Sequence, residues 1–211
     1  MGDPGMNNLI ATILEGDSLG AASQARQLLG CEICSENIVV NGVEVAMSKL
    51  DAKCTLEQFN LLEIMLAGRA VTEVMKVLYP ASTAIPDTKG TVVIATLEGD
   101  VHDLGKNILK MVLIGKGYRV VDCGKDCPLQ KLLDVAELEH PIAIGVSGMI
   151  TPVIPLLRQV KDMLAMRGLD RVKVIAGGAA LKQSSPGRLN VDFVAESAFD
   201  GLHYLEKLRV A

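Results

Sequence analysis

Three short stretches of this 211-residue chain carry residue types that can do chemistry. EGDVHDLG holds Gly99, Asp100, Val101, His102, Asp103 and Gly105; VSGMIT holds Ser147, Met149 and Thr151; AGGAA holds Gly177 and Gly178. An imidazole with a carboxylate two residues before it suits a metal. The carboxylate fixes the tautomer and basicity of the ring, and the ring offers its other nitrogen. A zinc site asks for three or four protein ligands. The chain has three His in all, with His140 and His203 expected in a loop and in the last helix. A single His better suits a metal that already carries most of its ligands, and haem and corrin both answer to that description. Alone, the first stretch also reads as a polar turn with a helix cap, since caps and turns favour Asp and Gly.

The elements around these stretches bring them together. Beyond residue 90 the pattern alternates short apolar runs with helical segments. Strands are expected at Thr91–Thr96, Tyr118–Asp122, Ile142–Ser147, Val172–Ala176 and Phe193–Ala195, with helices between them such as Pro128–Glu139 and Val153–Arg167. Five strands joined by helical crossovers predict a doubly wound parallel sheet. In such a sheet ligands collect at the carboxyl ends of the strands, beside the point where strand order reverses. With a flavodoxin-like order 2-1-3-4-5, the three stretches line one edge.

The first 80 residues read as helices. Val39, Val43, Ala46 and Leu50 recur at three- and four-residue spacing, as does a longer stripe of Leu61, Ile64, Met65, Gly68, Val71, Met75 and Leu78 that Pro80 stops. Thr55 with Gln58 three residues later predicts a capping box before that helix. PASTAIPDTKG, with two prolines and no periodicity, reads as a linker. The expected organisation is a helical domain over 1–80, a linker over 81–89 and an α/β domain over 90–211.

Composition excludes several classes. The net charge is −4 and no basic stripe is interleaved with aromatics, which argues against nucleic acid. No apolar run approaches the roughly 20 residues that span a bilayer, and MGDPGMNN lacks a cationic leader, so a cytoplasmic protein without membrane contact is expected. Five Cys is an odd count, which argues for a reducing compartment. CEIC (Cys31, Cys34) and CGKDC (Cys123, Cys127) raise a four-thiolate site, but the pairs fall in different halves and Cys31 and Cys34 sit where buried helix positions are expected. A phosphorylated receiver domain is excluded because strand 3 ends in Ser147 rather than Asp, and strand 5 runs into AESAFD without a nearby Lys. A dinucleotide site is excluded by the missing GxGxxG and by two aspartates that would repel a pyrophosphate.

Asp100-x-His102-x-x-Gly105, then Ser147-x-Met149, then Gly177-Gly178 resembles, in residues and in spacing, the cobalamin-binding signature of methionine synthase and of the corrinoid proteins of anaerobic methyltransferase systems. GDVHDLGKNI and SGMITP are similar to the methyl-transfer branch, and NLLEIMLAGRAV followed by YP resembles the last helix of its four-helix cap. The resemblance implies a helical bundle cap before a Rossmann-like, flavodoxin-type α/β domain, with cobalamin, a cobalt corrinoid, as cofactor. It makes His102 the lower cobalt ligand and Asp100 its hydrogen-bond partner. Gly99, Val101, Asp103, Gly105, Gly177 and Gly178 then lie along the cofactor, Ser147 and Thr151 give hydroxyls to its nucleotide tail, Met149 lies beside them, and Ser197 meets the corrin rim. Met149 stands where the family usually has Leu, a volume-conserving change. Val153 stands where many relatives have a Ser or Thr whose hydroxyl reaches the motif Asp, which shortens the expected proton relay. Met65 and Leu62 are the candidates for shielding the upper corrin face, with Phe59 the one ring near the last cap helix.

The function implied is that of a methyl carrier. Co(I) takes a methyl group from a donor held by a substrate-specific methyltransferase, and methyl-Co(III) yields it to a second methyltransferase dependent on tetrahydrofolate or coenzyme M. A reductive activase is a further partner, and the cap moves aside to admit each one. The protein itself shows no donor site. An adenosylcobalamin mutase subunit shares DxHxxG but generally lacks such a cap, and a cobalamin-sensing regulator needs a DNA-binding module that the first 35 residues do not supply.

Overall fold

A computed structural model describes residues 4–55, 60–80 and 88–210. The chain divides into two compact units, Met1–Thr88 with Met111–Gly117, and Lys89–Lys110 with Tyr118–Ala211. Phe59, Gln58 and linker positions 81–87 lie outside the described residues.

The first unit is helical: α1 (Pro4–Leu14), α2 (Ser18–Gly30), α3 (Ser35–Ile38), a π-helical turn (Val39–Val43), α4 (Glu44–Thr55) and α5 (Leu61–Leu78). The stretch from α3 to α4 runs on without a break, so the described residues before the linker form four helical rods. Val39, Val43, Ala46 and Leu50 are buried, as their spacing predicts. So are Ile64, Gly68, Val71 and Leu78 on α5, while Met65 and Met75 are half-buried and Leu62 is exposed. The predicted capping box involves Gln58, which lies outside the described residues. Thr55 is the last residue of α4, and α5 is capped by Asn60, whose side chain accepts from the amides of Leu62 and Glu63. The burial expected for Cys31 and Cys34 also fails: both are exposed, because α2 ends at Gly30 and Glu32 turns the chain away at φ 61.

The second unit is a five-stranded parallel sheet of order β2-β1-β3-β4-β5, the order expected. Its elements are β1 (Thr91–Thr96), α6 (Leu104–Gly115), β2 (Arg119–Asp122), α7 (Leu129–Glu139), β3 (Ala143–Ser147), a 3-10 turn (Thr151–Val153), α8 (Ile154–Met166), β4 (Lys173–Gly177), α9 (Pro186–Leu189), β5 (Phe193–Ala195) and α10 (Ala198–Val210). Residues 111–117, from α6 onward, group with the helical unit. β1 and β3 are almost wholly buried, which is why they read as unbroken apolar runs rather than alternating ones. Three strand bounds shift by a residue at one or both ends: β2 begins at Arg119, β3 at Ala143, and β4 spans Lys173–Gly177. One face of the sheet packs on α7 and α8 through Leu132, Leu133, Leu157, Val160 and Leu164. Their burial fixes the register, since a slip of one residue would turn every strand side chain to the other face.

The register aligns the strand ends. Thr96 lies opposite Ser147, Ser147 opposite Gly177, and Gly177 opposite Ala195. Each of these four residues is the last of its strand, so the loops that follow leave from one line across the sheet.

Candidate functional site

The loop between β1 and α6 presents His102. Its side chain is 56% exposed, whereas that of Asp100 is wholly buried. Asp100 Oδ1 accepts from the His102 amide at 2.9 Å and faces His102 Nδ1 at 2.7 Å. Oδ2 accepts from the Met149 amide at 2.7 Å. Burial acts to raise the Asp100 pKa, but the two amide bonds and the imidazole together outweigh it and hold the carboxyl below the ordinary range. An ionised carboxylate only accepts, so Nδ1 carries a proton and the ring is turned with Nε2 away from Asp100. The buried Asp thus fixes the direction of a half-exposed imidazole.

The same carboxylate ties two loops together, since Met149 follows β3. Met149 itself is 46% exposed and Val101 is 58% exposed, two large apolar side chains left in solvent beside His102 in sequence and beside its partner Asp100 in space. Ser147 is buried, and a Cβ placed on Gly105 would meet its Oγ at 3.4 Å. The β4 loop closes the row. The Gly148 amide donates to Gly177 O at 2.9 Å, and Gly178 sits at φ +104, where a Cβ would come within 2.5 Å of Gly148 O. Only glycine fits there. At Gly177 a Cβ would meet Ala195 O at 3.6 Å, an ordinary contact.

The remaining predicted residues are more loosely placed. Gly99 turns the chain at φ +89 and Asp103 gives its carbonyl to the Asn107 amide at the start of α6. Thr151 is exposed and opens the 3-10 turn. Ser197 is exposed, and its Oγ accepts from the Asp200 amide, capping α10, so it takes no part in the Asp100 group. Val153 is wholly buried in the apolar core with Leu97 and Leu181. Oδ2 of Asp100 receives the Met149 amide. Among the described residues no buried side-chain polar atom is left without a partner.

Several contributors were missed from sequence. Thr96, wholly buried, donates its hydroxyl to His102 O at 3.3 Å. Lys106, 3% exposed, donates to Asp122 Oδ1 at 2.7 Å, and Lys110 donates to Oδ2 at 3.1 Å. Burial raises the Asp122 pKa, and these lysines with the Gly124 amide more than reverse that. The signal was present in GKNILK, whose two lysines stand four apart on one helix face. The thiolate reading finds no support in the second unit. Cys123 and Cys127 are buried and burial pushes the Cys123 thiol up to about 12, so it stays protonated. Among the described residues no group of three or more His, Cys, Asp or Glu could hold a metal ion. No helix among them is long and apolar enough to cross a membrane.

A directed imidazole, a glycine-lined loop and a flavodoxin-like sheet edge define an α/β protein of Rossmann-like fold with a ligand site at its strand ends. The model of the B12 binding domain family matches residues 90–202. Dimethylamine corrinoid protein 1 of Methanosarcina mazei is 31% identical over 195 residues, 91% of this chain and 88% of that protein. The methanol:cobalamin methyltransferase complex MtaBC of Methanosarcina barkeri superposes with a TM-score of 0.86 at 26% identity, covering 99% of this chain and 80% of that one. A cobalamin-binding protein of Desulfitobacterium hafniense shares the fold, with a TM-score of 0.78 at 24% identity and 98% of each chain covered. The chain belongs to the B12-binding family, alongside the corrinoid proteins of methyltransferase systems, and its cofactor is a corrinoid. The residues fit such a group: the half-exposed His102 ring, held at Nδ1 by Asp100, has Nε2 left for a metal with one position to fill, and Gly178 leaves backbone bare where a Cβ would intrude.

Proposed function

We propose that this protein is the methyl-carrying subunit of a methyltransferase system. It takes the methyl group from a substrate-specific methyltransferase and yields it to a second one, dependent on tetrahydrofolate or coenzyme M, with a reductive activase restoring it when needed. When bound, the corrinoid supplies a cobalt atom able to hold a methyl group. The chain's own residues do the holding. His102 would hold the cobalt through Nε2, with Asp100 keeping a proton on Nδ1 and the ring at a fixed angle. Gly105, Ser147, Thr151, Gly177 and Gly178, with Gly99, Val101, Asp103 and Met149, bound the space for the rest of the cofactor. Ser197 stays a candidate for its rim, with its hydroxyl oxygen already accepting the Asp200 amide.

The single observation that carries the reading is the buried Asp100 carboxylate, whose bonds all go to His102 and to the loop after β3. A carboxylate buried only to cap a turn would not need a half-exposed imidazole as its partner. Reconstitution tests it. Under reducing conditions the purified chain is expected to take up one corrinoid per chain from hydroxocobalamin and to hold it through gel filtration. A chain that emerges colourless contradicts the reading.

A further inference from the structure

The loop after β2 lies alongside the end of β1 and the start of the His102 loop, and is bonded to Thr96, Glu98, Gly99 and Asp100. The Thr96 amide donates to Gly124 O at 3.0 Å, the Cys127 amide to Thr96 O at 2.9 Å, and the Glu98 amide to Cys127 O at 2.9 Å. These contacts extend the β1–β2 side of the sheet past the strand ends, with Leu97 bridging Cys127. At the tip stands Asp126. Its amide donates to Asp100 O at 3.0 Å, and its Oδ1 accepts from the Gly99 amide at 2.8 Å.

Asp126 makes these two bonds from a left-handed backbone, φ 50. An L-residue other than glycine adopts that region at a cost of about 1 kcal/mol or more. Asp and Asn tolerate it best because their short side chains can bond locally. Here the side chain bonds across 27 residues of sequence instead, to the residue just before Asp100. A turn leading into Pro128 needs no such bond. What the bond does is fix the backbone of residues 99 and 100 from outside, while the Asp100 carboxylate fixes the ring of His102 from within. The ring therefore inherits its position from two aspartates in series.

On the reading of His102 as a metal ligand, we propose that Asp126 is a positioning residue for it, acting through Gly99 and Asp100. Three variants separate its parts. Asp126→Asn keeps the acceptor and tolerates the backbone angle, Asp126→Gly keeps the angle and loses the acceptor, and Asp126→Ala loses both.

The first readout needs no cofactor. Exchange of the Gly99 amide in the cofactor-free chain is expected to quicken roughly tenfold in Asp126→Gly and Asp126→Ala, the scale of one lost bond to a charged acceptor, and to stay near wild type in Asp126→Asn. Core amides of β1 and β3 are expected to hold their rates, which separates a local release from global unfolding. Unchanged Gly99 exchange in Asp126→Gly overturns the clamp whatever becomes of the cofactor. The second readout uses chains labelled with 15N-histidine and loaded with Co(II) corrinoid. The concentration of unlabelled imidazole that replaces half of the 15N splitting in the electron paramagnetic resonance spectrum is expected to fall roughly fivefold in Asp126→Gly and to stay within about twofold in Asp126→Asn. Equal midpoints in wild type and Asp126→Gly overturn the positioning role. Failure of the ligand reading itself is seen separately, as a wild-type spectrum with no 15N splitting.

Discussion

Two loops on one sheet edge are built by opposite means. The loop after β1 is held by side chains: Asp100, Thr96 and Asp126 each spend an oxygen on it, and the outcome is a single imidazole with a set direction. The loop after β4 is held by the absence of side chains, with Gly178 at φ +104 where a Cβ would come within 2.5 Å of Gly148 O. One loop presents a functional group and the other presents bare backbone. A large flat cofactor with a long tail asks for both, one atom to coordinate and a smooth wall to lie against.

The largest effect expected from breaking this contrast is at Gly178. Gly178→Ala adds a strained backbone and a backbone clash, about 3 kcal/mol together, read as a lower denaturant midpoint with an unchanged slope. Its neighbour sharpens the point, because Gly177→Ala meets Ala195 O at an ordinary distance. Next comes Lys106→Met, which strips a buried cation from Asp122. Removing one partner of a buried pair costs about 3–5 kcal/mol, reduced here to about 2 kcal/mol because Lys110 remains on the other oxygen. The same chemical denaturation measures it.

A smaller effect lies at the far end of β4, where Asp192 accepts from Lys161 and from the Val174 amide. Burial raises its pKa, and these bonds more than reverse the shift. A carboxyl whose folded pKa is depressed adds stability above its unfolded pKa, near ~3.9, and that stability is lost as pH falls through the folded value. Asp192→Asn is therefore expected to cost about 1 kcal/mol at neutral pH and progressively less below about pH 4, followed by thermal melts across that range. The smallest effect is Gly177→Ala, under about 1 kcal/mol by the same melts. A penalty there equal to that of Gly178→Ala would erase the distinction between the two glycines.

What could be read from the sequence follows the same division. Strand order, strand ends to within a residue and the pairing of Asp100 with His102 were legible, because buried parallel strands are continuous apolar runs and the motif is local. Asp126 was not, since its role rests on a left-handed φ and a partner 27 residues away. The α5 cap was misplaced because Thr55 and Gln58 satisfy a local pattern while Asn60 makes the bonds. Cys31 and Cys34 were expected inside because apolar periodicity does not register where a helix stops. Val153 drew attention as a lost donor; it lies in the apolar core, and Asp100 Oδ2 has the Met149 amide as its donor.

The central claim is that His102 Nε2 is the lower ligand of the cobalt, and isotopic labelling tests it most directly. The chain is produced with 15N-histidine, loaded with corrinoid of natural isotope content and reduced to Co(II). A histidine ligand predicts that the nitrogen splitting of the paramagnetic resonance lines changes from the triplet of unlabelled protein to a doublet, and that His102→Ala abolishes the doublet. A triplet that persists in the labelled protein would assign the lower ligand to the cofactor's own base and contradict the account.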